Sequence, residues 1–118
     1  MSNKTRGRRA EFLARIFLRL KGYRILQKNF ITGRGTTAGE VDIIAQKKNM
    51  IVFVEVKARG RLENALYAIK APQQKRILTA ARVYLAKNQA CRDFDVRFDA
   101  VLVFGLFKIR HIQNAWQA

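Results

Sequence analysis

Gly39-Glu40-Val41-Asp42-Ile43-Ile44-Ala45 and, after a short polar turn, Ile51-Val52-Phe53-Val54-Glu55-Val56-Lys57 are the two stretches that decide the fold. Both alternate as strands do, so side chains two apart share a face. Val41, Ile43 and Ala45 then point one way with Val52, Val54 and Val56, while Glu40, Asp42, Glu55 and Lys57 point the other. A two- or four-residue loop centred on Lys48-Asn49 pairs Ala45 with Val52, and hence Asp42 with Glu55 and Glu40 with Lys57. Directly opposed Cβ atoms lie about 4.5–5.5 Å apart, where like charges destabilise. Two facing carboxylates need a compensating charge, and a hard divalent cation is the natural one. Nearer the turn, Ile44, Ile51 and Phe53 occupy the same face and suit packing against a helix, which leaves the charged set at the open end of the hairpin.

The flanking segments supply the helices. Arg6 to Lys21 reads as a helix with Phe12, Leu13, Ile16, Phe17 and Leu20 as its apolar stripe, Arg8, Arg15 and Arg19 as its polar side, and Gly22 as its stop. Tyr23 to Ile31 reads as a strand, and Thr32 to Ala38, with Gly33 and Gly35, as a mobile loop. Ala58 to Ala71 reads as irregular, with a helical turn around Leu62 to Ala68. Pro72 opens a helix running to about Asn88, which turns Ile77, Leu78, Ala81, Tyr84 and Leu85 inward and Lys75, Arg76, Thr79 and Arg82 outward. Asp95 to Phe104 and Leu106 to Gln113 read as two further strands. The order α-β-β-β-α-β-β is that of an α/β sandwich, a mixed central sheet flanked by helices, in one domain over residues 1–118.

Composition bounds the function. At 118 residues and 49% apolar, the chain can bury a core and is no disordered basic tail. No apolar run approaches the ~20 residues of a membrane span, and no signal peptide is visible, so no membrane partner is expected. One cysteine, Cys91, excludes a disulfide framework and suits the cytoplasm. Lys and Arg number 24 against 8 Asp and Glu, a net charge of +16 that predicts a polyanionic partner, chiefly nucleic acid. With one His and one Cys, a His/Cys zinc site is excluded.

The acidic face suits phosphodiester hydrolysis, which needs a polarised phosphate, an activated water and a neutralised leaving oxygen. Mg²⁺ takes oxygen ligands, often only one or two carboxylates. Asp42 and Glu55 supply the pair, and the Val56 carbonyl is a candidate third ligand. Lys57 is placed to orient water or stabilise the pentavalent phosphate, and Glu40 to join the outer shell or hold Lys57. The bland alternative is a Glu40–Lys57 surface ion pair beside two solvated acids.

Asp42 followed by Glu55-Val56-Lys57 resembles the bipartite PD-(D/E)xK signature of the restriction-endonuclease-like superfamily, with valine in place of the proline before Asp42. From Gly7-Arg8-Arg9-Ala10-Glu11 through both strands to Arg97-Phe98-Asp99, nearly the whole chain resembles the uncharacterised bacterial YraN-like family, itself similar to archaeal Holliday-junction resolvases. The resemblance implies a restriction-endonuclease-like domain and Mg²⁺- or Mn²⁺-dependent cleavage of DNA, structured or branched. It makes Asp42 and Glu55 metal ligands, Lys57 the catalytic lysine and Glu11 an additional acid, and the resolvase analogy implies a homodimer. A non-catalytic nucleic-acid-binding protein, associated with RNA or the ribosome, is the rival reading.

Other residues have more ordinary readings beside functional ones. Arg15, four residues after Glu11, offers it a surface ion pair, although Glu11 also lies above Leu18 at the border of the apolar arc. Lys4, Arg6, Arg8 and Arg9, Arg34 in the glycine-rich loop, and Lys75 and Arg76 are candidate phosphate contacts, or simply solvated cations. Superfamily relatives sometimes use a glutamine near Gln73, a loose correspondence. His111 reads as a strand residue, Trp116 as a residue that packs or mediates association rather than stacking on a base, and Arg97 and Asp99 as structural.

Overall fold

The computed structural model describes residues 3–35, 38–59, 69–105 and 107–116. Helix α1 (Asn3–Leu20) precedes strands β1 (Arg24–Thr32), β2 (Gly39–Lys47) and β3 (Met50–Arg59); helix α2 (Ala71–Lys87), a 3₁₀ turn at Gln89–Cys91, and strands β4 (Asp95–Phe104) and β5 (Lys108–Ile112) follow. The five strands form one open sheet in the order β1-β2-β3-β4-β5, parallel only between β3 and β4. That parallel step is the one that requires a crossover, and α2 lies within it. The expected α-β-β-β-α-β-β mixed sheet is therefore the observed one. No helix among the described residues is long and apolar enough to cross a membrane.

The hairpin turns over two residues, with Lys48 in the left-handed region at φ 53°. Ala45 pairs with Val52 as the alternation predicts, and the ladder continues to Ile43–Val54. The paired residues stop there, one step before Asp42–Glu55. Opposite Asp42, Asn29 of β1 has φ 51°, and the β1–β2 ladder passes over the Asn29–Asp42 position. This irregularity breaks the alternation. Val41 packs with Ile44, Ile51, Phe53 and α2, not with Ile43 and Ala45 as expected. β3 also runs two residues beyond the expected start of an irregular segment, since Ala58 and Arg59 continue the pairing with β4. The helical turn expected over Leu62–Ala68 lies outside the described residues.

Each sheet face has its own core. Ile43, Ala45, Val52, Val54, Val56, Val101 and Val103 pack under α1, while Val41, Ile44, Ile51, Phe53 and Phe98 pack under Ile77, Ala80, Ala81 and Tyr84 of α2. The face of α1 that meets the sheet is centred on Ala10, Ala14 and Leu18 with Leu13 packed beside them, so the expected stripe is rotated away in part: Phe12 is 53% exposed and Leu20 83%. Ile16 is exposed as well, with Leu13 and Phe17 only partly covered. Small residues at i, i+4 spacing let the helix axis approach a sheet already filled with valine and isoleucine, which larger side chains would prevent. Gly22, at φ 95°, ends α1 by donating to the Arg19 carbonyl, as its position suggested. On the other face α2 lies so close to β2 that a Cβ on Gly39 would sit 2.6 Å from the Ala80 backbone nitrogen.

Candidate active site

The irregularity in β2 is where the candidate side chains gather. Having lost its ladder partner, the Val56 N–H donates to Asp42 Oδ2 at 2.8 Å. This bond fixes the Asp42 carboxylate against β3, beside Glu55. Glu55 extends from the face that α2 covers and is only 4% exposed. Lys57, two residues on, holds its Nζ 3.6 Å from Glu55 Oε2, and Gln73 in the first turn of α2 donates its side-chain amide to the same oxygen. Asp42, Glu55 and Lys57 thus lie together, although the direct Asp42–Glu55 pairing expected from the hairpin is not formed.

Electrostatics show how tightly the two acids are held. Burial, then the hydrogen bond and negative charge of Asp42, push the Glu55 carboxyl up to about 9, with Lys57 pulling the other way. Glu55 so placed holds its proton well above the usual carboxylate range. Glu11 has its pKa raised by burial and then by Asp42, against the opposing pull of Arg15 and a hydrogen bond from Asn29. Glu11 therefore leans inward toward Asp42, the alternative its place above Leu18 allowed. Glu40 is exposed, pairs with Ile31 on β1, and acts on Glu11 and Glu55 through its charge. The simple register would have put Glu40 against Lys57. The ladder ends too early for that, and the observed ion pair of Lys57 is with Glu55.

Among the described residues, no group of three or more His, Cys, Asp or Glu side chains is arranged to hold a metal. Asp42 and Glu55 form a carboxylate pair, an oxygen donor set that matches Mg²⁺ or Mn²⁺ better than zinc. The conflict between Asp42 and Glu55 fits a cation too, since only a positive charge or a proton relieves it.

The candidate nucleic-acid contacts are spread more widely. Arg8 is exposed on the outer side of α1, and Arg9 holds its guanidinium 5.6 Å above the Phe107 ring. Arg34 is exposed in the β1–β2 loop, and Lys75 and Arg76 are exposed in the turn of α2 that follows Gln73. The Arg6 side chain lies outside the described residues.

Gln73 is the site residue the amino-acid pattern left most open. Its only local signal is position at the start of a helix, and its contact with Glu55 arises from how α2 docks.

A second polar cluster lies under α1, on the opposite sheet face. Asp99, fully buried, accepts from Arg97 Nε and an Arg97 terminal nitrogen, both at 2.7 Å, from His111 Nε2 at 2.6 Å, and from the Asn114 amide at 3.0 Å. Lys21 Nζ donates to His111 Nδ1 at 2.8 Å, and Arg97 reaches the Tyr23 hydroxyl at 2.6 Å. Burial alone would raise Asp99; the hydrogen bonds from His111, Arg97 and Asn114 outweigh it and hold the acid below its ordinary range. Asp99 fastens β4 to β5, and with Arg97 it has the structural role their alternation suggested.

Comparison with known proteins identifies the family. Residues 10–103 match the uncharacterised protein family UPF0102. The chain is 46% identical to the UPF0102 protein amb4503 of Paramagnetospirillum magneticum over 112 residues, 95% of this chain and 87% of that protein. It is 46% identical to a UPF0102 protein of Rhodopseudomonas palustris over 109 residues, 92% of this chain and 82% of the relative. The protein bll0669 of Bradyrhizobium diazoefficiens is 44% identical, with 92% and 79% covered. On its motifs, its fold and these relatives, the chain belongs to the uncharacterised protein family UPF0102, the YraN-like family.

Proposed function

We propose that this protein is a metal-dependent endonuclease that hydrolyses phosphodiester bonds in DNA, with structured or branched DNA as its substrate. The observation that carries the reading is the buried Glu55 held against Asp42, with Lys57 and Gln73 on the same carboxylate. Asp42, Glu55 and the Val56 carbonyl hold the metal. A bound Mg²⁺ or Mn²⁺ supplies Lewis acidity to the phosphodiester and makes an attacking water more acidic. Gln73 fixes one Glu55 oxygen and so sets the direction of the other. Lys57 orients the water and offsets the charge gained at phosphorus as the new P–O bond forms and the bond to the leaving oxygen breaks. Glu11 and Glu40 surround the pair with further negative charge that favours a cation. The charge of +16 brings the polyanion to the surface; Arg6, Arg8, Arg9, Arg34, Lys75 and Arg76 are its contacts.

The test is cleavage of labelled linear duplex, single strand, flap, four-way junction and RNA in Mg²⁺, Mn²⁺ or EDTA. Metal-dependent cleavage of DNA by the wild type, lost in Glu55→Ala and Lys57→Ala with binding retained, is the expected result. Tight binding with no cleavage of any substrate contradicts the reading and favours a non-catalytic nucleic-acid-binding protein.

A further inference from the structure

A groove of about 380 Å³ between α2 and the start of β4 takes no part in the chemistry above. Leu78, Leu85, Val96, Phe98 and Trp116 wall it, and Arg82 stands exposed at its rim. Its size is within the ~300–1,000 Å³ typical of sites for small organic groups. The wall is aromatic and firmly backed: Trp116 lies against Phe98 with ring centroids 5.4 Å apart, and Phe98 stacks on Phe53 at 5.8 Å. Trp116 is 8% exposed, and its buried Nε1 has no hydrogen-bond acceptor among the described residues. Few native proteins leave such a donor unpaired without a reason.

The groove also leads toward the acid pair. Trp116 lines a second cavity, of about 90 Å³, together with Gln74 and Ala100. Ala100 is the β4 partner of Glu55, and Gln74 follows the Gln73 that holds it. Along β4, Val96 in the groove and Ala100 beside Glu55 share a sheet face and are separated by roughly 13 Å at ~3.3 Å per residue, about four base steps at ~3.4 Å each.

We propose that the groove receives one unpaired nucleobase of the bound DNA, about four nucleotides from the phosphate at the acid pair. A base offers two apolar faces to the wall and acceptors at its edge, and the phosphate attached to it meets Arg82. A fully paired duplex keeps its bases stacked and has nothing to insert, so the groove selects DNA with an extrahelical or junction base. This inference rests on the nucleic-acid-binding part of the function above and is independent of cleavage.

The test is equilibrium binding in EDTA at about 0.15 M salt to three duplexes: fully paired, carrying one unpaired 2-aminopurine, and carrying an abasic site at the same place. The expected result is about tenfold tighter binding of the unpaired base, the scale of one base–aromatic stack, with its fluorescence changed on binding. Val96 is 40% exposed, so Val96→Trp fills the groove from its open side. It should erase the preference and leave affinity for the paired duplex unchanged. Arg82→Gln should reduce the preference severalfold. Equal affinity for all three duplexes overturns the proposal, as does a preference that survives Val96→Trp. Failure to bind any of them overturns nucleic-acid binding itself, and a cleavage failure alone leaves this site standing.

Discussion

At the scale of single residues, the site is governed by the raised Glu55 carboxyl. Between pH 4.5 and about 9 the folded chain keeps a proton on Glu55 that the unfolded chain has released. The folded state therefore binds more protons, and without metal its stability falls as pH rises across that window. Glu55→Gln removes the slope while keeping a hydrogen-bond donor toward Asp42. Urea denaturation at pH 5 and pH 8 should find the stability gap between variant and wild type wider at pH 8 than at pH 5 by about 4 kcal/mol; equal slopes would contradict the raised Glu55 carboxyl. Asp99 has the opposite sign. Held below its ordinary range, it adds stability that is present above the unfolded value near 3.8 and lost as pH falls through the folded one. Asp99→Asn leaves Arg97 without its charge partner, and a loss of about 3–5 kcal/mol by urea denaturation is expected. The metal affinity of the folded variant should not change, because Asp99 lies on the other sheet face. Asp42, Glu55 and Lys57 stood out as a group because all three sit within sixteen residues on two adjacent apolar strands. Gln73 was not, since no local rule says which helix turn will meet a strand from another part of the chain.

At the scale of elements, the two helices differ in how they can be read. On α2 the inward residues Ile77, Ala81 and Tyr84 follow the expected period, and Lys75, Arg76 and Arg82 face out. On α1 the period is right and the face is wrong in part, because the sheet accepts Ala10, Ala14 and Leu18 and leaves Phe12 and Leu20 in solvent. Hydrophobicity ranks side chains by transfer energy, whereas packing against a flat, branched surface also limits their size. Phe12→Ser and Leu20→Ser should each shift stability by no more than about 0.5 kcal/mol, while Ala14→Leu should cost about 1–3 kcal/mol through overpacking. Denaturation midpoints in the reverse order would refute this account of α1. The hairpin makes a related point. Its register followed from the polar turn, but the break at Asp42 depends on Asn29, a residue of a different strand.

At the scale of the molecule, the sheet divides the labour. The α1 face holds a valine-rich core closed by the Asp99 cluster, and the α2 face carries the acid pair and an aromatic row from Phe30 through Tyr84, Phe53 and Phe98 to Trp116. Element order and the mixed sheet were legible in advance because one hairpin, one crossover helix and two capping signals leave few ways to connect the strands. The groove beside Trp116 was not, because it is formed by three segments that meet only in the folded chain. The central claim is that Asp42 and Glu55 together hold a divalent cation. Calorimetric titration of Mn²⁺ into the free protein at pH 8 tests it most directly, with Asp42→Asn and Glu55→Gln alongside. One bound ion per chain, with release of protons and loss of binding in both variants, is the predicted result. No binding, or binding that both variants retain, would contradict it.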